Sequence, residues 1–213
     1  VGSQLAVTNE VFNPDTDPIT GVDVNGDALS GYSEASRQKS DFNGIPTIRY
    51  TFLKEDVELS SSEDKVGSQN AITEEWFKPA ASRKAKTNYV LAREEASDIG
   101  GIPTERYTFL KNNVILSTSV DSVGSQKAEV IEVFEPSVQP TPTGGGTLAK
   151  TDTSDVSGID TVRYTFLKPS ILSVDQVLNS GTKQVVVTAF SQTAAQVTAA
   201  LDEVTGTHQL ISK

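Results

Sequence analysis

The chain has no cysteine, no methionine, one histidine and one tryptophan in 213 residues. Without cysteine there is no disulfide, no thiol nucleophile, no iron–sulfur cluster and no thiolate zinc site. One histidine, His208, is too few for a His-rich metal centre, and no partner suggests itself for a Ser-His-Asp arrangement. With no methionine the chain lacks an initiator, so the expectation is a processed chain or part of a longer one. No apolar run approaches the ~18 residues of a membrane-spanning helix, and no signal peptide is recognisable. The charge is unbalanced, with 18 basic against 28 acidic side chains and a net −10. That balance argues against nucleic acid, whose phosphates need clustered Lys and Arg.

What the chain does have is repetition. GIPTIRYTFLK at 44–54 returns as GIPTERYTFLK at 101–111 and as GIDTVRYTFLK at 158–168, a constant spacing of 57 residues. A fixed period of this size is the mark of an array of one small unit. Ser40-Asp41, Ser97-Asp98 and Ser154-Asp155 keep the same offset, and Tyr32 matches Tyr89. VGSQ stands at Val1, Val66 and Val123, so the first unit carries an eight-residue insertion. The third counterpart has degenerated to Asn179-Ser180-Gly181-Thr182.

Strand signals fill each unit. Asn43-Gly44, Gly100-Gly101 and Ser157-Gly158 suit two-residue hairpin turns, which need positive φ. After the turn, Ile48, Tyr50 and Phe52 share one strand face, and Thr47, Arg49, Thr51 and Leu53 the other. The aromatic face is the better core candidate. Pro46 and Pro103 fall at strand starts, where a missing N–H is tolerated. A third strand is expected from Val57, Val114 or Ser170, with Leu59, Leu116 and Leu172 aligned. The VGSQ turn then leads to a fourth strand over 71–77, 128–134 and 185–190, ending on Phe77, Phe134 and Phe190, with Phe12 as an earlier counterpart. The expected fold is all-β: a tandem array of three small four-stranded antiparallel meander units.

Residues 136–146 (PSVQPTPTGGG) read as an exposed connector, 79–87 as a shorter basic one, and 13–31 as a long acidic insertion. Residues 194–204 depart from the repeat and allow either a short helix or a strand. Two phases fit. Either the chain is cut from a longer array, or each unit starts at VGSQ, so that 5–12 joins the sheet of 32–63. The second, favoured reading divides the chain into units 1–65, 66–122 and 123–178, with a closing strand and tail over 179–213.

Candidate chemistry is sparse. The polar set Asp41, Thr47 and Arg49 recurs as Asp98, Thr104 and Arg106 and as Asp155, Thr161 and Arg163. Its functional reading is a ligand contact at regular spacing. The plainer one is a cross-strand ion pair with a turn-capping Asp. The pairs Tyr50/Phe52, Tyr107/Phe109 and Tyr164/Phe166 could stack on sugars, but alternating strand aromatics are more often core, within a unit or between chains. Asp23, Asn25, Asp27 and Glu34 match positions 1, 3, 5 and 12 of a calcium loop, although Ala28 replaces the turn glycine and no helices flank it. They are the candidate calcium ligands. No catalytic residue and no other cofactor is expected.

A disulfide-free tandem β array with short linkers resembles the shafts and arms of bacteriophage virion proteins such as tail fibres. The resemblance implies a non-enzymatic structural protein of a virion: a fibre, spike or capsid decoration, with other virion proteins as partners. A bacterial extracellular filament or adhesin is the first alternative. An immunoglobulin-like array is excluded by size, since that sandwich needs ~100 residues. A carbohydrate-binding accessory module is the second alternative. A unit of this size buries only about 60% of its unfolded surface, and a four-stranded sheet leaves a face and two edges open. Completion by a neighbouring unit or by self-association, as a homotrimer or other homo-oligomer, is therefore expected.

Overall fold

A computed structural model describes residues 4–14, 20–83, 85–179, 182–192 and 196–197. His208, the degenerate turn residues Ser180 and Gly181 and most of the 194–204 stretch lie outside the described residues.

The described chain is all-β, as the alternation of apolar and polar residues requires. Its strands are β1 (Val7–Val11), β2 (Tyr32–Phe42), β3 (Ile45–Lys54), β4 (Val57–Val66), β5 (Gln69–Phe77), β6 (Ala85–Lys86) and β7 (Tyr89–Ile99). They continue as β8 (Ile102–Leu110), β9 (Val114–Val123), β10 (Gln126–Phe134), β11 (Thr147–Val156), β12 (Ile159–Leu167), β13 (Ser170–Asn179) and β14 (Thr182–Phe190). They form four sheets of order β1-β3-β2, β4-β5-β8-β7-β6, β11-β12-β10-β9 and β13-β14. The pairings are antiparallel. Two compact units contain them: Val1–Lys65 with Asn70–Lys111, and Val66–Gln69 with Asn112–Lys213.

The expected four-stranded antiparallel sheet is present, but its strand order is not that of a simple meander. Two hairpins make it. The strand after VGSQ pairs with the second strand of the next hairpin, as β5 with β8 and β10 with β12. The reason lies in the connectors. The chain between β5 and β7 or between β10 and β11 is too long for a tight turn, so it steps over one strand. The edge of β3 that a meander would give to β4 is held by β1, and β4 passes to the next sheet. The segment 5–12 does join the sheet of the first hairpin, but the third strand of that repeat does not. Each sheet is therefore offset from the sequence units by one strand, giving up its own third strand to the sheet that follows.

Local chemistry fixes the turns. Asn43 and Gly44 have φ of 54° and 83°, and Ser157 and Gly158 of 57° and 79°, the left-handed pair that a type I′ hairpin needs. Asp41, Asp98 and Asp155 accept the Gly44, Gly101 and Gly158 N–H at 2.7, 2.8 and 2.9 Å. The turn-capping role expected of these aspartates is thus the observed one. After the hairpin, the Asp56 and Asn113 N–H groups bond the Lys78 and Glu135 carbonyls, both at 3.0 Å. Their side-chain oxygens accept from Ala80 and Ser137 N–H, both at 3.1 Å.

The aromatic face is core. Tyr50, Phe52, Tyr107, Phe109 and Phe166 are buried, and each Tyr–Phe pair stacks with centroids 6.4 Å apart. Connectors cross this face, each pinned by one residue of the strand after VGSQ. Asn9 exchanges two hydrogen bonds with the Val22 backbone at 2.9 and 3.0 Å, and Gly21 lies so close that a Cβ there would meet the Phe52 ring at 2.7 Å. Buried Glu74 pairs with Lys86 and accepts the Trp76 indole N–H at 2.9 Å. Glu129 accepts from Thr143 and Gly144 N–H at 2.9 and 2.7 Å. Residues 136–146 are mostly exposed, as expected, yet anchored.

In the first unit the opposite face joins two sheets. Ala35 and Leu53 of one pack with Leu59, Phe77 and Ile102 of the next, and Ala6, Val57 and Ile99 rest against them.

Candidate functional site

Two devices recur where successive strands and sheets meet. The first is a carboxylate clamp. The register sets Glu10, Glu75 and Glu132 opposite Arg49, Arg106 and Arg163, and Ser40, Ser97 and Ser154 opposite Thr47, Thr104 and Thr161. Glu10 accepts from Ser40 at 3.0 Å, Thr47 at 2.7 Å and Arg49 at 2.5 Å. Glu75 accepts from Ser97 at 3.0 Å and from Thr104 and Arg106, both at 2.6 Å. The third copy is incomplete. Ser154 reaches Glu132 at 2.5 Å, Arg163 turns to Asp121, and the buried Thr161 hydroxyl has no partner.

The clamp corrects the expected pairing of Arg with the hairpin aspartates. Those aspartates sit at the turn tip and spend their oxygens on its N–H groups. The arginines face a glutamate one strand away. The signal was present in the sequence, as a Glu two residues before each aromatic end of a post-VGSQ strand. Without the strand order nothing placed it beside the arginine.

Charge follows this geometry. The Thr47 hydroxyl, helped by Arg49 and Ser40 against desolvation, lowers the Glu10 pKa below the ordinary glutamate value. The Glu75 carboxylate, hydrogen-bonded to Arg106, raises the arginine's. Burial, with Glu94 nearby, pushes the Tyr107 hydroxyl up. In the complete copies the serine, the threonine and the arginine Nε each donate a hydrogen bond to the one glutamate.

The second device is the GSQ tip. Two of the third strands carry an extra residue that breaks their pairing register, Leu116 on β9 and Leu172 on β13. A bulge of this kind releases a carbonyl from the ladder. Ser68 N–H bonds the Leu116 carbonyl at 2.8 Å, and Ser125 N–H bonds the Leu172 carbonyl at 2.9 Å. Gln69 Nε2 and Ser68 Oγ add bonds to the Ile115 carbonyl at 2.9 and 2.8 Å. Gln4 makes the matching bond to the Glu58 carbonyl at 3.0 Å. The glycine is obligatory. A Cβ on Gly124 would stand 2.5 Å from the Leu172 oxygen, and one on Gly67 would overlap the Leu116 oxygen. VGSQ, legible in sequence only as a turn, is a docking motif.

The candidate calcium ligands do not converge. Asp23, Asn25 and Asp27 share one small turn, where Asp23 Oδ1 accepts the Asn25 and Asp27 N–H at 2.8 and 3.0 Å. These bonds, that from Asn25 first, hold the Asp23 carboxyl below its ordinary range. Glu34 lies on β2 and spends its oxygens on Arg37 at 2.8 and 2.9 Å. Among the described residues no group of three or more His, Asp or Glu is placed to hold a metal ion. An open groove of about 560 Å³ is lined by Lys78, Ser82, Glu94, Thr104, Glu105 and Tyr107 among others. Tyr107 is buried within its sheet and offers no exposed ring there. Among the described residues no helix is long and apolar enough to cross a membrane.

The chain matches no protein-family model, and no curated protein or solved structure matches it.

Proposed function

We propose that this chain is a non-enzymatic structural element of an extracellular assembly, in the manner of a phage virion appendage such as a tail fibre, spike or capsid decoration. The observation that carries the reading is the GSQ joint. Its tip is fastened to the bulged leucine of the following third strand, and the repeat spacing sets where it recurs. The repeated polar residues serve these joints and the clamps, so the same positions that could present a ligand site are spent on cohesion. Stability comes from many short-range links in series, which suits a part that bears load or spans distance.

Immunogold labelling with an antibody raised against the purified chain tests the assignment. Gold on tails or capsids of particles from the producing culture supports it. Gold confined to the cell surface or to shed filaments overturns it in favour of a bacterial filament or adhesin. Burial of Tyr50 and Tyr107 weighs against a sugar-stacking ladder. Glycan-array binding that is lost on Tyr107→Ala in a folded variant would revive the carbohydrate module.

A further inference from the structure

The apolar joint described for the first unit has two halves, and among the described residues members of each recur exposed: Phe12 and Ile45 of one, and Ala149 of the other, whose Leu53 counterpart, Leu167, is buried. In the second sheet Phe77 and Ile102 are each only 2% exposed, packed on Ala35 and Leu53 of the sheet before. Their counterparts in the first sheet, one repeat earlier, are Phe12 and Ile45, 68% and 50% exposed, with Phe42 beside them at 58%. The receiving half reappears at β11. Ala35, the extra residue of β2, is buried, but its counterpart Ala149, the extra residue of β11, is exposed beside Leu148, itself 38% exposed. β14 adds an edge. It stands where β1, β5 and β10 stand in their sheets, and each of those pairs with the second strand of a hairpin. Among the described residues β14 pairs with β13 alone.

From this we infer that the β2–β3 hairpin of one copy adds to β14 of a second copy, seating Phe42 and Ile45 on Leu148 and Ala149. The occupant is named by the joint already present: Ile99 and Ile102 do the same on Ala35 within one chain. The edge of β3 that β14 would use is held by the chain's own β1, so the association is a strand exchange, with β1 leaving as β14 enters. Aligning Phe12 with Phe190 places Thr188 where β1 has Glu10, and Val187 where it has Asn9. The intruding strand lacks both the clamp glutamate and the connector pin. β1 is thus the better partner and acts as a plug, and its release is the costly step. Donor and acceptor are different surfaces of one chain, so the contact is heterologous and joins copies head to tail.

This inference rests on the structural reading above, and its test separates the two. The chain has no cysteine, so Ile45→Cys with Ala149→Cys gives a clean pair for a short bis-maleimide linker. Ala35→Cys with Ile102→Cys serves as the intramolecular control. The double variant is expected to give a ladder of dimers, trimers and longer products on a denaturing gel, and Ala149→Cys alone none. Sedimentation velocity of Glu10→Gln, which loosens the plug, is expected to show self-association strengthened on the order of tenfold. A merely structural Glu10 would lower thermal stability and leave association unchanged. Dimers as abundant from Ile45→Cys alone would mean that the exposed tip pairs with itself, overturning the exchange. Monomers throughout, in the wild type and in Glu10→Gln, would also overturn it and leave the array reading standing.

Discussion

At the scale of single residues the three clamps are an internal comparison. Thr104 and Thr161 occupy the same position and are both buried, but only Thr104 donates to a carboxylate. Hydrogen bonds to charged groups contribute about 1.5–3 kcal/mol, whereas a buried hydroxyl without a partner contributes nothing and costs its desolvation. Thr104→Val is expected to destabilise by about that amount, and Thr161→Val to be neutral or slightly stabilising; urea denaturation of the two variants side by side checks this. The acid limb follows from the carboxylates held below their ordinary values: Glu10 first by Thr47, Asp23 first by the Asn25 N–H, and Glu129 first by the Gly144 N–H. A depressed folded pKa stabilises above the unfolded value and is lost as pH falls through the folded one. The melting temperature should therefore hold from neutrality down to about pH 5 and fall below about 4.5. In Glu10→Gln with Glu129→Gln that fall should be shallower. A melting temperature that instead dropped on the alkaline side would mean other groups control it.

At the scale of elements, the glycines separate conformation from contact. Gly44 and Gly67 both have positive φ, of 83° and 53°, but nothing lies within 4 Å of a Cβ at Gly44, whereas one at Gly67 would overlap the Leu116 carbonyl oxygen. Gly44→Ala should cost only the left-handed backbone, about 1–2 kcal/mol. Gly67→Ala should cost more, because it also unseats the Ser68 and Gln69 bonds. Hydrogen exchange should show faster exchange of the Ser68 amide in Gly67→Ala and no change there in Gly44→Ala. The hairpins were legible because Asn-Gly and Gly-Gly are local signals, and the aromatic face because alternation is local too. The strand order was not legible, since it depends on which edge of β3 is already filled, and that is decided by β1, which lies before the long acidic insertion. The bulges were hidden for a similar reason: Leu116 sits in an unbroken run of strand-forming residues, and its irregularity exists only against β10.

The whole molecule adds a test of modularity. Residues 66–122 begin at one VGSQ and end just before the next. Their deletion joins β4 of the first repeat, through an identical tip, to a strand of the same kind. The shortened chain is expected to keep its β-type circular dichroism and to melt cooperatively. Loss of folded signal would show that the second repeat holds something its neighbours lack, and Glu74, buried with Lys86 and Trp76, is the first place to look. The array itself was readable from the spacing. The way its parts join was not, because VGSQ recurs without saying what it touches.

The connectors over the aromatic face carry a consequence of another kind. One is long and acidic, one short and basic, one rich in Pro, Thr and Gly, yet each is pinned over the face by one residue of the strand after VGSQ, Asn9, Glu74 or Glu129, with a few further bonds at its ends. The joints demand a particular glycine and a particular carboxylate; the connectors demand a few anchors and enough length. Variation can therefore accumulate on one surface of the protein while the fastening between repeats stays fixed, and foreign loops grafted between such an anchor and the next strand are the changes this scaffold is best built to accept.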